Sequence, residues 1–197
     1  MDVSRETLDR LEVYHHLLDK WSRKINLVSP STLQNARLRH FKDSLQLLSV
    51  ESPRGKRWVD IGSGAGFPGA IIAIARAGAS DAGKTILVES DKRKSVFLRT
   101  VSRETNADFT VLAERIECIE PLGADIISAR ALAPLSRLFD YAESHLQKGG
   151  VMIFPKGANW RQEVADAEKT WHFSYAAHRS MTDDEAVILR IEDLSRA

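Results

Sequence analysis

The chain has 197 residues, and its 28 Lys and Arg against 27 Asp and Glu leave a formal net charge of +1. That balance excludes a globally basic coat for nucleic acid, so any anion-binding surface has to be local. The single cysteine, Cys118, excludes an internal disulfide and the usual cysteine-rich zinc sites, so no metal is expected. No stretch approaches the roughly 20 apolar residues of a membrane span. The charged start MDVSRETLDR lacks the apolar centre of a secretory leader. A cytoplasmic protein with neither a membrane nor DNA as partner is the expectation. The length suits one domain plus an extension, read as a helical extension over 1–52 and a main domain over 53–197.

Residues 4–21 carry Leu8, Leu11, Tyr14, Leu18 and Trp21 at helical spacing, with Ser4 as N-cap. Ser29 and Pro30 start a second helical region reaching about Val50, with Leu38, Phe41, Leu45 and Leu48 as its buried stripe. Arg39 and Asp43 are spaced i,i+4 there. They read either as a solvated ion pair or as part of a basic patch with His40 beside a ligand site. After a turn at Ser52–Gly55, the stretch RWVDIGSGAGFPG (57–69) reads as strand, glycine-rich turn and helix start, with Pro68 in the first helical turn. Lys84–Val88 is a second strand, ending in Glu89. Asp91 caps a helix that opens with Lys92, Arg93 and Lys94 and buries Val96, Phe97 and Val101. Phe109–Leu112 and Ala124–Ser128 are strands, and Glu114–Glu117 is the loop between them. Leu135–Leu146 is helical, Gly149 and Gly150 turn the chain, and Val151–Phe154 is the next strand. A helix near Trp160 follows. Trp171–His178 and Ala186–Ile191 then form a terminal hairpin around Thr182–Asp184. The alternation predicts a doubly wound α/β sheet, mostly parallel, with an antiparallel C-terminal edge.

In such a sheet a glycine-rich turn between strand and helix makes a nucleotide site: the glycines permit close approach, and the helix start offers free N–H groups. Gly64, Gly66 and Gly69 satisfy the dinucleotide spacing, and Glu89 lies where an acid holds a ribose. Spacing alone therefore admits a nicotinamide or flavin. Asp60 argues otherwise, because a carboxylate before the first glycine repels a pyrophosphate. It suits a ligand with an amine and a sulfonium, and S-adenosylmethionine is one. Asp60, Glu89, Glu117, Arg130 and Lys156 all fall at strand ends, which converge on one crevice. The pattern contains no Ser-His-Asp or Cys-His arrangement. Methyl transfer needs none, since alignment of the nucleophile carries most of the effect.

DIGSGAGFPG (60–69), Arg39-His40 with Asp43-Ser44, ESDKRKSVFLR (89–99), SARALAPL (128–135) and FPKG (154–157), in that order, resemble the bacterial glucose-inhibited division protein B family. The resemblance runs from Asn26 to the terminal hairpin. It implies a class I S-adenosylmethionine-dependent methyltransferase fold, Rossmann-like, with an N-terminal helical extension. It further implies methylation of guanine N7 in the 530 loop of 16S ribosomal RNA, with that RNA or a small-subunit assembly intermediate as partner. Cofactor contacts are implied at Gly62, Phe67, Ile116, Glu117 and Arg130. With Asp60, Gly64 and Glu89 from the motif itself, these make the expected cofactor set. Arg130 and Lys156 are the expected catalytic residues. Arg39, His40, Lys92, Arg93, Lys94 and Lys156 are the expected RNA contacts. A nucleotide-dependent oxidoreductase and a non-catalytic RNA-binding module are the rival classes.

Overall fold

The structure, a computed structural model, describes residues 3–28 and 40–197. Arg39, Leu38 and the Ser29-Pro30 start therefore lie outside the described residues. The first helix, α1 (Arg5–Ser22), is capped as its sequence predicts: the Ser4 side chain accepts from the Thr7 N–H at 3.1 Å. Two short helices follow, α2 (Lys42–Leu45) and α3 (Leu47–Val50). Next come β1 (Trp58–Ile61), α4 (Gly69–Ala77), β2 (Thr85–Val88), α5 (Lys92–Thr105) and β3 (Thr110–Leu112). The remainder is β4 (Ala124–Ser128), α6 (Leu135–Ala142), β5 (Leu146–Lys156), α7 (Trp160–Ala167), β6 (Trp171–Arg179) and β7 (Val187–Arg196).

Seven strands form one sheet in the order β3-β2-β1-β4-β5-β7-β6. The pairs from β3 through β5 are parallel; β7 pairs antiparallel with both β5 and β6. The order reverses between β1 and β4, and the carboxyl ends of those two strands open the crevice where such sheets bind ligands. The predicted α/β class and antiparallel edge are both present.

Alternation in β1 decides what lies on each side. Val59 and Ile61 enter the core beneath α6 and α7, with Ile127, Phe139, Met152 and Phe154. Trp58 points to the opposite face, with Ile72 of α4 and Leu47 of α3. On that face Leu11, Tyr14 and Leu18 of α1 share one apolar cluster with Ile71 of α4 and Phe97 and Leu98 of α5. The N-terminal helix is thus a further layer on the core of the main sheet.

Some local expectations do not hold. Leu8 and Val96 are exposed, at 55% and 49%, while Thr7 and Leu98 take the buried positions beside them. α6 stops at Ala142, short of Leu146. Gly149 and Gly150 lie inside β5, where pairing jumps from Ala124–Leu146 to Ile126–Val151, so the extra residues bulge out within one strand.

Candidate functional site

The turn between β1 and α4 is tied down from several directions. Ser63 Oγ donates to the Asp60 carbonyl at 2.9 Å, and the Ser63 N–H to Val88 O at 3.0 Å. Glu89 accepts the Gly64 N–H at 2.7 Å on Oε2 and the Asp91 N–H at 2.7 Å on Oε1. Each oxygen keeps a second lone pair, so Glu89 can brace the turn and still accept from ribose hydroxyls. From below, the Tyr14 hydroxyl of α1 donates to the Ala65 carbonyl. Tyr14 is fully buried, stacked on Phe41 at 5.3 Å and close to Phe67 and Phe97, and this burial pushes its phenol pKa well up. Gly66, at φ +102°, has no room for a side chain: a Cβ would stand 3.0 Å from that hydroxyl and 2.8 Å from Ala70 Cβ.

Asp60 corrects the sequence reading. Its carboxylate lines neither cavity of the crevice. It shares the Trp58 face of β1 and is completely buried beneath the start of α4. Ser128 Oγ donates to its Oδ1 at 2.7 Å and accepts from Trp58 Nε1 at 2.8 Å. Among the described residues Oδ2 has no hydrogen-bond partner, and it faces Gly69, where an added Cβ would lie 2.7 Å away. Burial pushes the carboxyl up to about 6, against the opposing pull of Ser128, Ser63, Gly69 and the Arg130 charge. The two-residue period of a strand puts Asp60 with Trp58, on the face opposite Val59 and Ile61.

Above the turn lies a cavity of about 580 Å³ lined by Gly62, Gly64, Phe67, Glu89, Lys94, His40, Arg130 and Leu132, among others. A smaller one, about 100 Å³, continues past Gly62 and Ser90 to Ile116, Glu117 and Tyr141. The expected cofactor residues other than Asp60 therefore line one crevice in two compartments. His145, missed in the sequence, holds its far end: buried Nε2 meets the Ile116 carbonyl at 3.1 Å, and burial lowers the imidazole pKa.

Arg130 stands where this crevice meets a third cavity of about 610 Å³, lined by His40, Asp43, Ala133, Lys156, Glu163, Thr182 and Asp183. Its Nη1 lies 2.8 Å from His40 Nδ1 and 3.4 Å from Asp43 Oδ2. Because a guanidinium only donates, His40 Nδ1 is the acceptor and the imidazole proton sits on Nε2. Both side chains lie on Phe67, whose ring is 4.8 Å from the Arg130 Cζ and 4.8 Å from the His40 ring. Burial lowers the Arg130 pKa from its ordinary value and the facing Asp43 counters it. Asp43 is held in turn by Gln46 at 2.6 Å and Thr182 at 3.0 Å, which latches the tip of the β6–β7 hairpin to the site. Arg39, the expected i,i+4 partner of Asp43, lies outside the described residues; Asp43 pairs with Arg130.

Lys156 is also placed differently from expectation. Its side chain is only 8% exposed, 2.7 Å from Glu163 and 3.0 Å from the Ala133 carbonyl, while Glu163 also accepts the Leu135 N–H at 2.9 Å. That is a strut fastening the segment after β4, with little reach toward a phosphate in solution. Lys92 and Arg93 are exposed in the first turn of α5, and Lys94 turns into the crevice. Three cations at a helix start oppose the helix dipole. Asp91 offsets them by accepting the Arg93 N–H at 2.8 Å.

The geometry has clear relatives. The family model described as rRNA small subunit methyltransferase G matches residues 7–190. The chain belongs to the rRNA small subunit methyltransferase G family. Among curated members, the ribosomal RNA small subunit methyltransferase G of Ruegeria pomeroyi is 48% identical over 196 residues, covering 100% of this chain and 96% of its own. Those of Paramagnetospirillum magneticum and Gluconobacter oxydans are 46% and 45% identical, with 98% of this chain and 92% and 97% of their own lengths covered. The fold is shared more widely. A mutant of MtNAS in complex with S-adenosylmethionine aligns with a TM-score of 0.62 at 19% identity, over 92% of this chain and 70% of that one. A TehB-like methyltransferase from Corynebacterium glutamicum gives 0.60 at 15% identity, over 89% and 97%. Membership in the rRNA small subunit methyltransferase G family makes the chain a methyltransferase on the class I fold.

Proposed function

We propose that the chain uses S-adenosylmethionine to methylate N7 of a guanine in the 530 loop of 16S ribosomal RNA, in the cytoplasm. The observation that carries this reading is the continuity of two cavities across Arg130: a glycine-turn crevice with Glu89 at its side, and a second chamber open to a base. The residues fit the cofactor. Glu89 has lone pairs left for a ribose, and the two compartments over Gly62 run from Gly64 to Ile116 and Glu117. S-adenosylmethionine supplies an electrophilic methyl group on a sulfonium.

The chain's own residues then have to align and shield. Guanine N7 is a lone-pair acceptor without a proton, so no general base is required. That agrees with His40, whose Nδ1 lone pair is directed to Arg130. Arg130, braced by His40, Asp43 and Phe67, is the catalytic residue in this reading, placed to hold the base at the junction of the cavities. Lys156 positions the segment that carries Arg130. Asp43, Glu163 and Asp183 line the base chamber and suit the positive charge a purine gains on N7 alkylation. A base reaches this depth only when unstacked, which a loop permits. Lys92 and Arg93, exposed at the start of α5, serve as phosphate contacts in this reading, while His40 lines both cavities and Lys94 faces the cofactor side.

The test is transfer from labelled S-adenosylmethionine to small-subunit RNA of cells lacking the protein, offered as naked RNA, mature subunit and assembly intermediate, with the modified base mapped. Label at N7 of one 530-loop guanine supports the reading; label elsewhere, or none, rejects it. In the same assay Arg130→Ala is expected to lose at least about a hundredfold in rate with the thermal midpoint retained. A parallel loss of folded protein assigns Arg130 a structural role instead.

A further inference from the structure

The two compartments over Gly62 meet at a shared wall. Leu132 lines both, and both also share Gly62 and Ser90. Leu132 lies directly on Gly62: a Cβ there would meet Leu132 Cδ1 at 2.5 Å and Cδ2 at 2.8 Å. Yet Leu132 is 40% exposed, an apolar side chain at the surface of a polar crevice. The residue before it, Ala131, has φ +53°, the left-handed region that a residue with a Cβ occupies at a cost. Such strain persists where neighbouring contacts hold the backbone in place. Here the contacts sit at the two ends. Arg130 is fastened to His40 and Asp43, and Ala133 to Lys156. Ala131 and Leu132 form the strained link between two fixed points.

We propose that Leu132 is a cofactor-binding residue that acts as a hinged cover, an inference that rests on reading the crevice as the S-adenosylmethionine site. A ligand with its ribose at Glu89 and its base at Ile116 and Glu117 has to cross Gly62, where Leu132 now lies. The side chain lifts as Ala131 leaves its left-handed conformation, then packs on the adenosine and shields it from water. The strain at Ala131 lowers the cost of lifting. The fastened ends keep Arg130 and Ala133 in place while the link moves.

The test is the association and dissociation of S-adenosylhomocysteine on the immobilised full chain, read by surface plasmon resonance for wild type, Leu132→Ala and Ala131→Gly. Leu132→Ala is expected to raise both rates about fivefold or more, since nothing has to be lifted and nothing closes over the ligand. Ala131→Gly is expected to slow association about fivefold, because glycine holds the positive φ without strain and favours the seated cover. Both variants are expected to melt within about 2 °C of wild type, so a change in rates is not a change in folding. Wild-type rates in Leu132→Ala overturn the cover and leave the crevice assignment standing. A wild-type chain that fails to bind S-adenosylhomocysteine overturns the crevice assignment itself, and the cover with it.

Discussion

Beneath the glycine turn, Tyr14, Asp60, Ser128 and Phe67 are almost wholly removed from water, and Tyr14 and Ser128 hold the turn and its acid by hydrogen bonds. Across the crevice, Leu132 stands partly in solvent on a backbone strained at Ala131. One side is a floor that fixes the turn's shape, and the other is a short link fastened at its two ends. The contrast follows from their tasks. A turn that presents N–H groups to a ligand has to be preorganised, whereas a segment that closes over a ligand has to move. The floor also draws on a helix far away in sequence. α1 contributes through one hydroxyl and its ring contacts, so the N-terminal helix helps fix the shape of the glycine turn.

If that division is right, loss of packing or hydrogen bonds in the floor costs stability and binding together, relief of its buried carboxylate raises stability, and damage elsewhere costs function alone. The largest effect is expected for Tyr14→Ala, which leaves a cavity among Phe41, Phe67 and Phe97. A loss of about 3–5 kcal/mol is expected by analogy with other buried aromatics, read as a thermal midpoint lowered by about 2–4 °C per kcal/mol. Tyr14→Phe keeps the packing and removes only the bond to Ala65. Its expected cost is about 1–3 kcal/mol, together with weaker S-adenosylhomocysteine binding by calorimetry. Tyr14→Phe binding as tightly as wild type would take α1 out of the floor.

Asp60 gives the next largest effect, and its sign is set by the raised carboxyl. The folded value of about 6 lies above the ordinary 3.8. Between those values the folded chain holds a proton that the unfolded chain has lost. The stabilising contribution is therefore complete below about pH 4 and is lost as pH rises through 6. Two units correspond to about 3 kcal/mol. Asp60→Asn is expected to melt above wild type at pH 8, with the difference shrinking toward pH 5. Parallel midpoint curves for the two proteins would show that Asp60 does not titrate in this range. The smallest effect on folding is expected from replacing Lys92, Arg93 and Lys94 with Ala: about 0.5 kcal/mol or less, with weaker RNA binding and a shallower salt slope. An unchanged slope would return the triplet to an ordinary solvated helix face.

Local signals were enough for much of the architecture and for the members of the site that follow strand ends. Strand–helix alternation, the glycine turn, the Ser4 and Asp91 caps and the hairpin around Thr182 all depend on neighbours in sequence, and each is present in the fold. Gly62, Glu89, Ile116, Glu117 and Arg130 came together because strand ends in a parallel sheet converge. Asp60 was not legible in the same way, since both faces of β1 are buried and its charge pointed to a ligand. Tyr14, His145 and Leu132 carried no such mark: each gains its role from a partner 51, 29 or, for Gly62, 70 positions away in the chain. Lys156 looked like a free cation until Glu163 and Ala133 were found to hold it. The sequence by itself determined which strands, turns and caps form, because pleat and connection rules act over a few residues. Only the tertiary structure decided what supports the glycine turn and what lies across it, because packing and hydrogen bonding join residues that no local pattern relates.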